Sequence, residues 1–175
     1  MRTVLQHLSI FGREERGAVL VEMTLITPLM IALSAGVFEF GNLIHQKLLI
    51  ETGLNDGARY AARCNPDFYE AKVGETIFSC EQIAANIAST GTWDGSGGSR
   101  VAGWTAADVS VDRDYLDIPV TTDAAGNQNY RSATASVRTV RVSTSFEYEG
   151  TSLLSYLGLN PITLTGAHEE RVIGW

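Results

Sequence analysis

The sequence predicts an α+β fold, a long N-terminal helix packed on a small antiparallel sheet. Three observations predict it. Apolar residues concentrate between Ala18 and Ile50, while the rest of the chain is polar, Gly-rich and mixed. Beyond Leu43 the apolar residues continue at helical spacing. Near the C-terminus, Thr139 to Tyr148 alternates strictly between apolar or aromatic and polar positions, the pattern of a half-buried strand. A length of 175 residues suits one modest domain plus an anchor.

The N-terminus sets the class. Met1 to Gly17 is a short polar head with Arg2, Arg13 and Arg16 set against Glu14 and Glu15. From Ala18 to Phe38 only Glu22 is charged, and about 20 mostly apolar residues suffice to cross a bilayer core. The net charge is −7 with no basic patch, so nucleic acid is a poor partner and membrane attachment has to be hydrophobic. A secretory signal peptide would be shorter and followed by a small-residue cleavage site, which is not found here. Two readings remain: an uncleaved anchor with Arg13 and Arg16 in the cytoplasm, or a leader cut before the apolar helix.

Glu22 separates them. A carboxylate at the centre of a membrane helix costs about 2.5–3.5 kcal/mol on insertion scales, and anchoring does not require it. Cutting between Gly17 and Ala18 makes Glu22 the fifth residue of the mature chain. The freed amine of Ala18 and the Glu22 carboxylate can then neutralise one another in an apolar assembly. Gly17 suits a protease that needs an extended, unbranched residue before the cut.

The run Arg16-Gly17-Ala18-Val19-Leu20-Val21-Glu22-Met23 resembles the start of the TadE-like family, minor pilin-like proteins of tight-adherence (Flp/Tad) pilus systems. The resemblance continues through Leu25, Pro28 and Leu29 to Gly36-Val37-Phe38-Glu39-Phe40-Gly41. It returns at Gly57-Ala58-Arg59-Tyr60-Ala61-Ala62-Arg63, so it covers about a third of the chain. Prepilin sites often carry an aromatic residue after the glutamate, where this chain has Met23. The resemblance implies cutting by a prepilin peptidase and work in pilus assembly rather than catalysis. The implied partners are that peptidase, other major and minor pilins, the assembly platform and membrane lipid. The implied location is the bacterial inner membrane, single-pass, with the C-terminal domain outside the cytoplasm, and entry into the pilus is open.

The helix is expected to continue past the membrane, from about Ala18 to about Arg63, roughly 65–70 Å long at 1.5 Å per residue. Leu43, Ile50, Leu54, Ala58 and Ala61 share one face, and Lys47, Glu51, Asn55, Arg59 and Arg63 occupy others. Pro28 removes one hydrogen bond and frees the carbonyl of Thr24. Gly53 and Gly57 form a Gly-x-x-x-Gly pair, read either as close packing on the chain's own sheet or as helix–helix contact in an assembly. Asn65-Pro66 ends the helix. Ser79-Cys80-Glu81-Gln82 has capping-box form and opens a second helix with Ile83 and Ile87.

Gly91 to Gly103 reads as a flexible loop bracketed by Trp93 and Trp104. A strand over Asp108–Asp112, a turn-rich connection over Thr121–Tyr130 and the strand Thr139–Tyr148 follow. Val140, Val142, Thr144, Phe146 and Tyr148 form the core face of that strand. Leu153, Leu154 and Leu157 suggest a docked turn, Asn160-Pro161 breaks it, and Ile162–Val172 makes the last strand. The expected division is a leader at 1–17, a transmembrane segment at 18–42 and a globular domain at 43–175.

The two cysteines, Cys64 and Cys80, are too few for a disulfide framework and fit no zinc spacing. A domain outside the cytoplasm favours a Cys64–Cys80 bridge, the alternative being two free thiols. There is no Gly-x-Ser-x-Gly and no phosphate loop, and His7, His45 and His168 are far apart, so no enzyme and no cofactor are expected. Asp112, Asp114 and Asp117 are a weak candidate calcium site. An EF-hand loop starting at Asp112 would need glycine where Asp117 stands, and a solvated strand and turn is the expected reading. Two functions remain in view: a minor pilin-like subunit, or an uncleaved bitopic envelope protein that binds a partner through its outer domain.

Overall fold

The structure, a computed structural model, describes residues 15–65, 71–73, 76–129, 135–148 and 162–173. The polar head up to Glu14, Pro66, the turn at Leu153–Leu157 and Asn160-Pro161 lie outside the described residues. The elements are α1 (Glu15–Ala61), β1 (Ala71–Val73), β2 (Thr76–Phe78), α2 (Cys80–Thr90), a 3-10 turn (Ala106–Asp108), β3 (Val109–Pro119), β4 (Ser136–Tyr148) and β5 (Ile162–Arg171). The fold is therefore α+β, as expected. The chain divides into two compact units, Met1–Asn42 and Leu43–Trp175.

In the first unit the chain is helical from Glu15 onward. Its helix starts three residues earlier than expected and passes through Pro28 without a break. Thr24 donates its hydroxyl to the Leu20 carbonyl at 2.7 Å, and Thr27 donates to that of Met23 at 2.6 Å. These threonines satisfy their own hydroxyls on the helix backbone, as an apolar surrounding requires.

In the second unit the amphipathic reading of α1 holds. Ile50, Leu54, Ala58 and Ala61 are at most 1% exposed. They join Ala84 and Ala88 of α2, Trp104, and Val140 and Val142 of β4 in one core. Trp104 Nε1 donates to Thr144 Oγ1 at 3.1 Å, and Thr144 Oγ1 donates to the Asp108 carbonyl at 2.6 Å. The buried indole therefore leaves no polar atom unpaired.

The Gly-x-x-x-Gly pair does pack within the chain, but on α2 rather than on the sheet. A Cβ at Gly53 would stand 2.3 Å from the Ala88 carbonyl oxygen and 3.0 Å from the Trp104 ring, and one at Gly57 would stand 2.8 Å from the Ala84 carbonyl. Glycine lets the backbones of α1 and α2 meet directly.

α2 forms where its cap predicts. Ser79 Oγ accepts from the Gln82 backbone N–H at 3.2 Å. Gly91 ends the helix in the left-handed region, φ 78°, with its N–H on the Ile87 carbonyl. The loop after it is held in place, contrary to its flexible composition. Arg100 binds Asp56 of α1 at 2.6 Å, its N–H reaches the Ser89 carbonyl, and Asn86 Nδ2 donates to the Trp93 carbonyl. Of the two bracketing tryptophans, Trp104 is fully buried while Trp93 is 46% exposed.

The main sheet has the order β3-β4-β5, all antiparallel. The inner face of β4 is the predicted one, with Val140, Val142, Thr144, Phe146 and Tyr148 all buried. The first strand differs from expectation. Asp108 belongs to the 3-10 turn, its carboxylate accepting from the Thr105 N–H and hydroxyl at 2.8 Å each, and the strand runs on to Pro119. β1 and β2 form a separate two-stranded hairpin that the sequence reading did not anticipate. Cys64 and Cys80 are joined as a disulfide, with sixteen residues of separation.

Two outcomes follow for the full chain in detergent. Gly53→Ala is expected to lower stability by about 1–3 kcal/mol because backbone, not a pliable side chain, opposes the new methyl. Gly36→Ala, whose Cβ meets nothing within 4 Å, should leave the melting temperature unchanged. Equal melting curves for the two variants would contradict the α1–α2 packing. Reduction of the disulfide should cost about 3 kcal/mol in the chain-entropy description, read as a lower denaturation midpoint. Ready alkylation of both thiols in the folded, unreduced protein would contradict the bridge.

Candidate functional site

The first candidate surface is the apolar length of α1. The helix is long and apolar enough to cross a membrane, and none of its most apolar window is buried. Leu25, Leu29, Ile31 and Phe38 are between 60% and 79% exposed. In water each such side chain would forgo about 1.5–3 kcal/mol of burial, so the surface calls for lipid or another apolar helix. Glu22 lies on this stretch and is exposed, whereas Glu39 is buried.

Gly17 and Ala18 are both inside α1. The peptide bond between them is helical here, so a protease that needs an extended residue before the cut has to open this turn. Glycine disfavours helix by about 0.8–1 kcal/mol relative to alanine, so the turn around this bond is easily opened.

The acidic side chains after Asp108 do not gather at one point. β3 carries a bulge in which Arg113, Asp114 and Tyr115 stand between the pairs Asp112–Arg141 and Leu116–Thr139, so three residues of β3 face Val140 alone. Asp112 Oδ1 accepts from the Asp114 N–H at 3.2 Å. Asp114 lies 3.7 Å from Arg138, and Asp117 is the register partner of that same arginine. Among the described residues no three His, Cys, Asp or Glu side chains converge in a way that would hold a metal. In the turn beyond, Asp123 accepts from the N–H groups of Asn127 and Ala125 and from Asn127 Nδ2. These bonds, the Asn127 N–H first, hold its carboxyl below the usual range, which fits its reading as a turn residue.

The bulge re-aims two side chains. Tyr115 turns to Arg141, whose guanidinium lies 4.7 Å above the ring centroid and donates to the phenol oxygen. Arg113 turns toward the cysteines. Its Nη1 donates to Glu81 Oε1 at 3.3 Å, and its Nη2 donates to the Cys64 carbonyl at 3.3 Å. Burial works to raise the Glu81 carboxyl. Hydrogen bonds from its own N–H, Ser79 and Arg113, with the Arg113 charge, outweigh that and set it below the ordinary range. With a depressed pKa, this ion pair contributes fully above the unfolded value and fades as pH falls through the folded one. Sequence reading missed Arg113 because its partners lie 32 and 49 residues away.

No curated protein and no solved structure matches the chain. A protein-family comparison does match, over residues 17–59, about a quarter of the chain. The matched family is TadE, described as TadE-like protein. By that segment the chain carries a TadE-like N-terminal region, within the stretch where the sequence resemblance lies.

Proposed function

We propose that the chain is a minor pilin-like subunit for assembly of a Tad/Flp-type pilus. In this reading a prepilin peptidase cuts between Gly17 and Ala18, and the mature protein joins other pilins through its N-terminal helix. The role is structural, not catalytic. The observation that carries the reading is the unburied apolar helix with Glu22 near its start, inside the TadE-like segment. In lipid the helix is a single-pass anchor of the inner membrane with the domain outside. On assembly, packing with neighbouring helices replaces lipid, and the Ala18 amine pairs with Glu22. An uncleaved bitopic protein that binds through its outer domain is the competing reading, in keeping with the helical Gly17–Ala18 bond.

Substitution at the cut separates the two. Gly17→Ala, or a bulkier residue, should block leader removal in the native host. Normal shortening of the variant would sink the peptidase reading. Glu22 is tested by partner association. Glu22→Gln should insert and be processed like the parent but crosslink less to partner pilins, because the freed amine is left unpaired in an apolar bundle. Glu22→Leu should fractionate with membranes at least as well, yet associate no better than Glu22→Gln. Parental crosslinking in Glu22→Leu would show the glutamate to be incidental.

A further inference from the structure

We propose that Arg113 is a positioning residue for the oxidation of Cys64 and Cys80: it clasps the two cysteine-bearing segments together whether or not the disulfide has formed. This inference concerns the globular unit alone and does not depend on the pilus reading.

The disulfide joins the chain just after α1 to the first residue of α2. Arg113 joins the same two segments without a covalent bond. One arm of its guanidinium binds the carbonyl of Cys64 itself, and the other binds the side chain of Glu81, the residue next to Cys80. A planar fork with separate donors suits this two-ended contact, and a lysine ammonium does not reproduce it. Arg113 reaches both ends from β3, an element outside the loop that the disulfide closes, so its grip needs no sulfur–sulfur bond. The bulge that aims it inserts two extra residues in β3 opposite β4. The position also carries a cost: Arg113 Nε is buried without a hydrogen-bond partner.

The chemistry is ordinary thiol–disulfide exchange with an external small-molecule disulfide as oxidant. One cysteine thiolate attacks that disulfide, forming a mixed disulfide and releasing one thiolate. The second cysteine thiolate attacks the mixed disulfide at the protein sulfur and releases the other. The two cysteine thiols lose two electrons, the external disulfide gains them, and the two protons end on the released thiols. Arg113 takes no part in bond exchange. It raises the concentration at which the second thiol meets the first, as positioning does in any intramolecular reaction.

The test equilibrates the full chain in detergent with mixtures of reduced and oxidised glutathione and measures the effective concentration of the cysteine pair. Arg113→Gln is expected to lower it roughly fivefold or more, with Arg113→Lys intermediate. Arg100→Gln, which breaks the Arg100–Asp56 pair elsewhere on the same domain, should leave it unchanged. A parental value in folded Arg113→Gln overturns the proposal. So does an equal fall in Arg100→Gln, which would mean general loosening. If Arg113→Gln does not fold, Glu81→Gln removes only the carboxylate end of the clasp and carries the test. A fall there supports the proposal, and a parental value overturns it.

Discussion

The structure depends on one constraint: a single helix carries sequence suited to two different surroundings, an apolar medium and a protein core. Along residues 18–38 the side chains are apolar on every side save for Glu22 and a few hydroxyls, and the helical backbone, except where Pro28 frees one carbonyl, satisfies its own hydrogen bonds, which is what an apolar medium demands. From Ile50 to Ala61 the same helix is apolar on one face only, and that face is the core of the globular unit. The change from all-round to one-sided apolarity needs no break in the helix, only a change in which positions are charged.

The second surrounding explains much of the globular unit. α1 contributes small residues where α2 crosses it, so the two helices meet backbone to backbone at Gly53 and Gly57. That close approach leaves room for Trp104 beneath, and the indole in turn ties β4 to the 3-10 turn through Thr144. The ends of α1 and α2 are then held twice, by the disulfide and by Arg113.

What was legible in the sequence was whatever local spacing encodes. The buried face of α1 follows from intervals of three and four, the inner face of β4 from strict alternation, and the start of α2 from Ser79. What was not legible depends on partners distant in the chain. Gly53 and Gly57 announce a close approach but not which element approaches, and α2 took the place expected of the sheet. Asp112, Asp114 and Asp117 read as a solvated strand with a faint calcium pattern, yet the feature that organises them is a bulge set by pairing with β4. The loop after Gly91 has a flexible composition, but Arg100 fastens it to Asp56, 44 residues away. The β1–β2 pairing joins runs of only three residues each, too short for alternation to mark them as strands. For the N-terminal surface the residue pattern and the TadE-like match speak together, and the exposed apolar side chains agree with both.

The most direct measurement of the two-surroundings account is spin-label accessibility on the full chain in lipid bilayers. Labels would be placed singly at Leu25, Leu33, Leu48 and Arg63, with the native cysteines held as their disulfide. The account predicts that dissolved oxygen relaxes the labels at Leu25 and Leu33 while a water-soluble nickel chelate does not, and that the chelate relaxes those at Leu48 and Arg63. Equal access of the chelate to Leu25 and Arg63 would contradict it.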